Sequence, residues 1–177
     1  MSAPAGTIHV VVMGVSGCGK STVARGMAER MALEFGEADE FHPPANIEKM
    51  SSGVPLTDED RWPWLRDLAA WTSERAREGV STVVACSALK RSYRDVLRDG
   101  PRRVFFVHLY GDAELISARL KSRAGHFMPP SLLQSQYDTL EQLEDDEEGV
   151  TLDIDATPDE LTDQAVDATR RWAGGEA

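Results

Sequence analysis

The stretch Gly14-Val15-Ser16-Gly17-Cys18-Gly19-Lys20-Ser21 fits the pattern G-x-x-x-x-G-K-[ST], and it restricts the fold more than any other part of the chain. The pattern works only in one setting. A strand must deliver the loop and a helix must follow it, so that backbone N–H groups curl around a phosphate and the positive helix end faces the same anion. Both neighbours are legible. Thr7–Met13 is continuous, β-branched and apolar, as in a strand buried on both faces. Residues from Ser21 to about Leu33 read as a helix. Gly14, Gly17 and Gly19 let the backbone turn, Lys20 is the expected contact to the β- and γ-phosphates, and Ser21 is the expected Mg²⁺ hydroxyl. Val15, Ser16, Cys18 and Thr22 complete the ATP-binding stretch, with Cys18 read as a small spacer and not as a nucleophile.

Past the loop, apolar runs continue to alternate with helical patterns, which predicts an α/β fold on a central five-stranded parallel sheet. Further strands are expected near Phe35–Ala38 and over Val80–Cys86, Arg103–Tyr110 and Val150–Asp155. Thr57-Asp58-Glu59-Asp60 resembles a capping box that opens a long helix running to Gly79, with Pro63 placed to kink its second turn. Trp64, Leu65, Leu68 and Trp71 recur at helical spacing on it and read as core. Helices are expected over Leu89–Arg98 and Asp112–Arg123, and Thr157-Pro158-Asp159-Glu160 caps the last one. The 177 residues carry no repeat or linker, so a single domain is expected, with residues 1–6 as a flexible tail. The acidic run Glu141–Glu148 reads as a solvated helix end and loop.

Charge and cysteine content narrow the partners. A net charge of −11 disfavours nucleic acid and anionic membranes, and the apolar run Ile8–Val15 is too short to span a bilayer. Two cysteines make neither a disulfide framework nor a zinc site, which fits a reduced, cytoplasmic setting. Among nucleotide-binding proteins, motor ATPases need a second apolar strand ending in Asp, whereas Val80–Cys86 runs into Ser87-Ala88, and the N-K-x-D motif of GTPases does not occur. The layout of a small-molecule kinase remains. In a parallel sheet, ligands collect at the carboxyl ends of strands. Asp39, at the end of the expected second strand, is the candidate to accept the proton of an attacking hydroxyl, with Glu37 in reserve. Arg119 and Arg123 share a helix face just before Gly125, Pro129 and Pro130, which suits a lid at about residues 124–136 that closes over ATP. Likeness to similar kinases implies that Thr157, after the last strand, lies against the adenine. Of the stripe Lys90, Arg91, Arg94 and Arg98, the residues Lys90 and Arg94 are expected to face the acceptor, and Arg98 to be solvated.

Four blocks resemble a known family. They are His42-Pro43-Pro44-Ala45-Asn46-Ile47-Glu48-Lys49-Met50; Gly53-Val54-Pro55-Leu56-Thr57-Asp58-Glu59-Asp60-Arg61-Trp62-Pro63-Trp64-Leu65; Cys86-Ser87-Ala88-Leu89-Lys90-Arg91-Ser92-Tyr93-Arg94-Asp95; and Arg123-Ala124-Gly125-His126-Phe127-Met128-Pro129. With Ser135-Gln136 and Leu140-Glu141 they look like the gluconokinases, from about Ile8 to the last helix. The resemblance implies ATP-dependent phosphorylation of D-gluconate at its 6-hydroxyl, a nucleoside-monophosphate-kinase-like three-layer fold, and a homodimer. The family's Gly-Asp-Asp is Ala38-Asp39-Glu40 here, and Gln142 stands where a proline often follows Leu-Glu. A sugar acid needs a cation for its carboxylate, and Arg61 is the natural clamp, its rival role being a surface ion pair with Asp58 or Asp60. His42, Lys49 and His126 join it on the substrate side, and Glu37 shares the expected metal position with Ser21. Other readings are a kinase for another small hydroxy acid such as shikimate, or an ATP-binding switch without turnover.

Overall fold

The structure is a computed structural model that describes residues 6–100, 103–122 and 130–175. Five strands, β1 (His9–Met13), β2 (Glu34–Glu37), β3 (Thr82–Ala85), β4 (Val104–Tyr110) and β5 (Gly149–Asp153), run parallel in the order β2-β3-β1-β4-β5. Helices α1 (Lys20–Met31), α2 (Pro44–Ser51), α3 (Asp58–Arg77), α4 (Arg91–Arg98), α5 (Ala113–Ser122), α6 (Pro130–Thr139) and α7 (Pro158–Ala173) surround the sheet. Helix α1 packs with α7 and α3 with α4, giving the expected three-layer α/β architecture. All five residues of β1 are buried because layers cover both faces, which is why its sequence is apolar without alternation.

The sheet order places the site. The neighbours of β1 are β3 and β4, so connections leave it to opposite sides and open a crevice at its carboxyl end. In register, Val12 and Glu37 both pair with Ala85, and Met13 pairs with His108. The end of β2 therefore lies level with the start of the glycine-rich loop, one strand away.

The capping box at Thr57 holds. Thr57 Oγ1 accepts from the Asp60 N–H at 3.2 Å, and the Asp60 carboxylate accepts from the Thr57 N–H at 2.9 Å. Pro63 removes one backbone donor without ending α3, which continues to Arg77. The second strand stops one residue before the predicted end. Ala38 opens a 3-10 turn (Ala38–Phe41), and its carbonyl accepts from the Trp64 indole at 2.7 Å. Helix α2 has no sequence counterpart among the expected elements. Its signal was Pro44 at the first helical position, in a segment too short to show a 3.6-residue period.

Two buried histidines make the fold acid-sensitive. His9 in β1 bonds through Nδ1 to Thr82 Oγ1 at 2.8 Å; among the described residues, its Nε2 and both ring nitrogens of His108 have no protein partner. Burial pushes each pKa from 6.5 down to about 4, with Arg94 and Lys20 adding to the depression at His108. Between these values the unfolded chain binds protons that the folded chain refuses. Stability is therefore full above the unfolded pKa and falls as pH drops, by on the order of 1 kcal/mol per pH unit for each histidine. Urea midpoints should fall steadily from about pH 7 to about pH 5, above the range where most carboxylates titrate. A flat profile there would mean that the folded protein protonates both rings freely.

Candidate active site

Above the carboxyl ends of β1, β2 and β3 lies a cleft of about 370 Å³, whose wall includes Ser16, Lys20, Glu37, Asp39, Arg61 and Gln136. The glycine-rich loop forms its floor. Gly14 has φ +143°, and a Cβ there would lie 2.6 Å from the Leu109 carbonyl oxygen and 2.7 Å from Cys18 Sγ. Gly19, the N-cap of α1, has φ +99°. Only glycine adopts such angles cheaply, so the loop's curl is written into its sequence. Lys20 Nζ donates to the Val15 carbonyl at 3.0 Å, folded back over its own loop. Ser21 Oγ donates to Glu37 Oε2 at 2.5 Å, which links the loop to the end of β2. Cys18 is fully buried and burial pushes its thiol pKa up, with Lys20 opposing, so it is a spacer as expected.

The 3-10 turn after β2 aims Asp39 into the cleft with its side chain 81% exposed, 4.0 Å from His42 Nε2. His42 stacks on Trp64 with ring centroids 4.0 Å apart, and burial lowers its pKa while Asp39 pulls it up and Arg61 pulls it down. The ring is therefore mainly neutral at pH 7. Trp64 is both core and cleft wall: buried, yet lining the acceptor side under His42.

Arg61 also lines the cleft, and its rival role as a surface ion pair is absent. Asp58 is taken by Lys90 and Tyr93, and Asp60 by Lys49 and the Thr57 amide. Among the described residues no carboxylate pairs with Arg61; Nη1 donates to the Tyr93 hydroxyl at 2.8 Å instead. The same contacts correct two expectations. Lys49 sits 2.7 Å from Asp60, Lys90 sits 3.2 Å from Asp58, and neither lines the cleft.

Arg94 is a larger correction. Expected to face the acceptor, it is 0% exposed and points the other way. Its Nε and Nη2 grip Glu147 at 2.7 and 3.0 Å, and its remaining donors reach the carbonyls of Ala88, Leu89, Glu141 and Gln142. The acidic run is thus not merely solvated: Glu147 is buried, Glu144 and Asp146 bind Arg91, and Arg98 donates to Glu147 at 2.8 Å. Burial pushes the Glu147 carboxyl up, but hydrogen bonds from Arg94, the Glu144 amide and Arg98 outweigh it and hold the pKa at about 2. Arg94 also supports the loop after β3, where Ala88 takes a left-handed φ of +45°. Arg94→Met should lower unfolding stability by about 3–5 kcal/mol, because it takes from a buried carboxylate its two-bond cationic partner and leaves it only Arg98 and the Glu144 amide, and adding Glu147→Leu should recover part of the loss. Unchanged stability with a raised acceptor KM would return Arg94 to the acceptor site.

On the nucleotide side, Arg119 Nη2 donates to the Ile154 carbonyl at 2.8 Å, and Thr157 Oγ1 accepts from the Glu160 N–H at 3.1 Å as the N-cap of α7. Both stand by the β5–α7 junction. Arg123, His126 and the first part of the expected lid, residues 124–129, lie outside the described residues, and the rest of it, residues 130–136, belongs to α6. Among the cleft residues that the candidates left out is Gln136 of α6, whose Oε1 accepts from the Ser16 N–H at 2.7 Å and whose Nε2 donates to Ser16 Oγ at 3.1 Å. Its only signal in the sequence was Ser135-Gln136 within the family resemblance.

A glycine-rich loop with its lysine and serine, a carboxylate at the next strand end and an unpaired guanidinium on the same cleft wall define a phosphate-loop kinase. Residues 10–143 match the family described as AAA domain. The gluconokinase of Gluconobacter oxydans (strain 621H) is 48% identical over 89% of this chain and 88% of its own length. Among solved structures, a gluconokinase from Sinorhizobium meliloti 1021 is 44% identical with a TM-score of 0.88, covering 99% of this chain and 97% of that one. An unliganded sugar kinase from Janibacter sp. HTCC2649 is 57% identical with a TM-score of 0.90, over 97% and 99% of the two chains. The chain belongs to the gluconokinase family.

Proposed function

We propose that this protein transfers the γ-phosphoryl group of ATP to the 6-hydroxyl of D-gluconate, giving 6-phospho-D-gluconate and ADP. One observation carries the reading: a single cleft holds the phosphate-loop lysine, the exposed carboxylate of Asp39 and the uncompensated cation of Arg61. An acceptor with a hydroxyl to activate at one end and a carboxylate to anchor at the other needs both sides of that pair. Lys20 turns from Val15 to the β- and γ-phosphates. Asp39 orients the 6-hydroxyl and takes its proton as the oxygen bonds to phosphorus and the bond to the ADP oxygen breaks. The sequence assigns Arg123 to meet the charge on the phosphoryl in flight, and His42, neutral and stacked, offers hydrogen bonding to the polyol.

Ser21 and Glu37 present oxygen donors 2.5 Å apart beside the loop, a donor set that suits Mg²⁺, which takes few protein ligands and shares the rest with phosphates and water. Held by Ser21 and Glu37, such an ion would neutralise charge on the nucleotide phosphates. We further infer a homodimer, from the family resemblance, and a cytoplasmic location, which the two free, buried cysteines suit.

A coupled ADP-release assay across gluconate, other aldonates and shikimate tests the reading, with NMR of the product to locate the phosphate. Turnover with gluconate and a phosphate on C6 is expected. ATP binding without ADP release on any acceptor would favour a nucleotide switch, and preferential turnover of shikimate would move the acceptor class.

A further inference from the structure

The Arg61 guanidinium is held by a phenol. Arg61 comes from the first turn and a half of α3, and its partner Tyr93 from α4. Polarity in this group is fixed by chemistry. Arginine can only donate and an ionised carboxylate can only accept, so the Tyr93 hydroxyl accepts from Arg61 Nη1 at 2.8 Å and donates to Asp58. Lys90 Nζ lies 3.2 Å from both Asp58 oxygens. Hydrogen bonds from Tyr93 and Lys90 lower the Asp58 pKa, and burial followed by Asp58 pushes the Tyr93 pKa up to about 12, so both groups keep these roles at neutral pH.

The consequence lies in the charge count. Asp58 carries one negative charge against the two positive charges of Lys90 and Arg61, so one positive charge is left over beside the cleft wall, where Arg61 stands. A carboxylate in place of the phenol would order Arg61 equally well but would cancel the charge that an anionic acceptor needs. A free arginine would keep its charge but would have to be ordered on binding, which weakens association. The phenol orders without cancelling. Tyr93 is itself immobile: it is 1% exposed and meets the Trp62 ring edge-on at 5.5 Å.

We propose that Tyr93 is a positioning residue for acceptor selection, its hydroxyl anchored on Asp58 and Lys90 and holding the Arg61 guanidinium uncompensated to receive the acceptor's carboxylate. This rests on the sugar-acid reading above, and it adds a source of specificity: acids are preferred over neutral polyols because a neutral hydroxyl fixes the cation.

The test is Tyr93→Phe, which keeps the ring and its packing and removes one oxygen, measured beside Arg61→Ala and the double variant. Arg61→Ala should raise the gluconate KM about 10- to 150-fold, the cost of a lost charge-assisted hydrogen bond. Tyr93→Phe should raise it about 3- to 10-fold with little change in kcat or in the ATP KM. The double variant should match Arg61→Ala alone, since the phenol acts through the guanidinium. The inhibition constant of D-gluconamide, which lacks the charge, should not move in either single variant. A raised KM in Arg61→Ala with an unchanged KM in Tyr93→Phe overturns the positioning role. Equal losses for gluconate and gluconamide in Tyr93→Phe, or an additive double variant, assign the phenol to general support of the pocket and overturn it as well. An unchanged gluconate KM in Arg61→Ala instead removes the acceptor reading on which the inference stands. Should Tyr93→Phe not fold, Lys90→Met, at a half-exposed position, leaves Asp58 unbalanced and should raise the gluconate KM but not the gluconamide inhibition constant; no change in the gluconate KM overturns the proposal.

Discussion

Lys20→Ala should cut turnover by about 10³-fold and leave the fold standing. Among the described residues the side chain makes one hydrogen bond, from Nζ to the Val15 carbonyl of its own loop, and it fills no part of the core. Removing it should not move the thermal midpoint measurably. In the reacting complex the same ammonium is the one cation the loop itself aims at the phosphates, where charge builds as the bond to ADP breaks. Losing a single preorganised donor at such a point costs about 10²–10³-fold in rate, and losing a full charge belongs at or above the upper end. A coupled assay with gluconate should therefore read a fall of about 10³-fold in kcat, with circular dichroism unchanged. Turnover near the wild-type rate would mean that the loop does not hold the transferring phosphates. An unfolded variant would mean that the lysine has a structural task that its single bond to Val15 does not reveal.

What the sequence disclosed, and what it withheld, follows from the range over which each feature is decided. The glycine-rich loop, the caps at Thr57 and Thr157 and the buried strand β1 are local: each is fixed by residues within a few positions, so pattern alone finds them. The place of Asp39 was legible for a similar reason, since it ends a strand next to the loop in a parallel sheet. Side-chain partners were not. Lys90, Arg91, Arg94 and Arg98 share one short helix, and nothing in their spacing says that Arg94 turns inward to Glu147, 53 residues later in the chain. The acidic run looked solvated because its composition is polar, yet one member of it is a buried anchor for α4. The same blindness applied in reverse to Arg61. Two acids lay within one helical turn of it, and only the structure shows both occupied by lysines. The contact of Gln136 could not be read from local pattern, because its partner, Ser16, is 120 residues away.

Asp39 and Glu37 are the pair whose roles the geometry separates, and exchanging their charges should separate them in kinetics. Glu37 ends β2 and holds the Ser21 hydroxyl at 2.5 Å, the pair proposed above to hold Mg²⁺. Asp39 sits one step into the 3-10 turn, turned outward into the acceptor cleft, where the only described basic group near it is the mainly neutral His42 at 4.0 Å. A positioned base contributes about 10²–10⁴-fold. Because phosphoryl transfer has a loose transition state, part of that is orientation of the hydroxyl and not removal of its proton. Asp39→Asn keeps the volume and one acceptor oxygen but loses the charge, so kcat should fall by at least about 100-fold while ATP affinity stays within a few-fold. Asp39→Glu should recover little, since one added methylene displaces the carboxylate by about 1 Å. Glu37→Gln should act differently: it should raise the Mg²⁺ concentration needed for half-maximal rate, with a smaller loss of kcat once Mg²⁺ saturates. If Glu37→Gln instead extinguishes turnover at saturating Mg²⁺ and Asp39→Asn does not, the base is Glu37 and its bond to Ser21 must break on substrate binding. If neither variant slows the reaction, the acceptor hydroxyl does not lie at the end of β2, and the arrangement of Arg61 across the cleft loses its reacting partner.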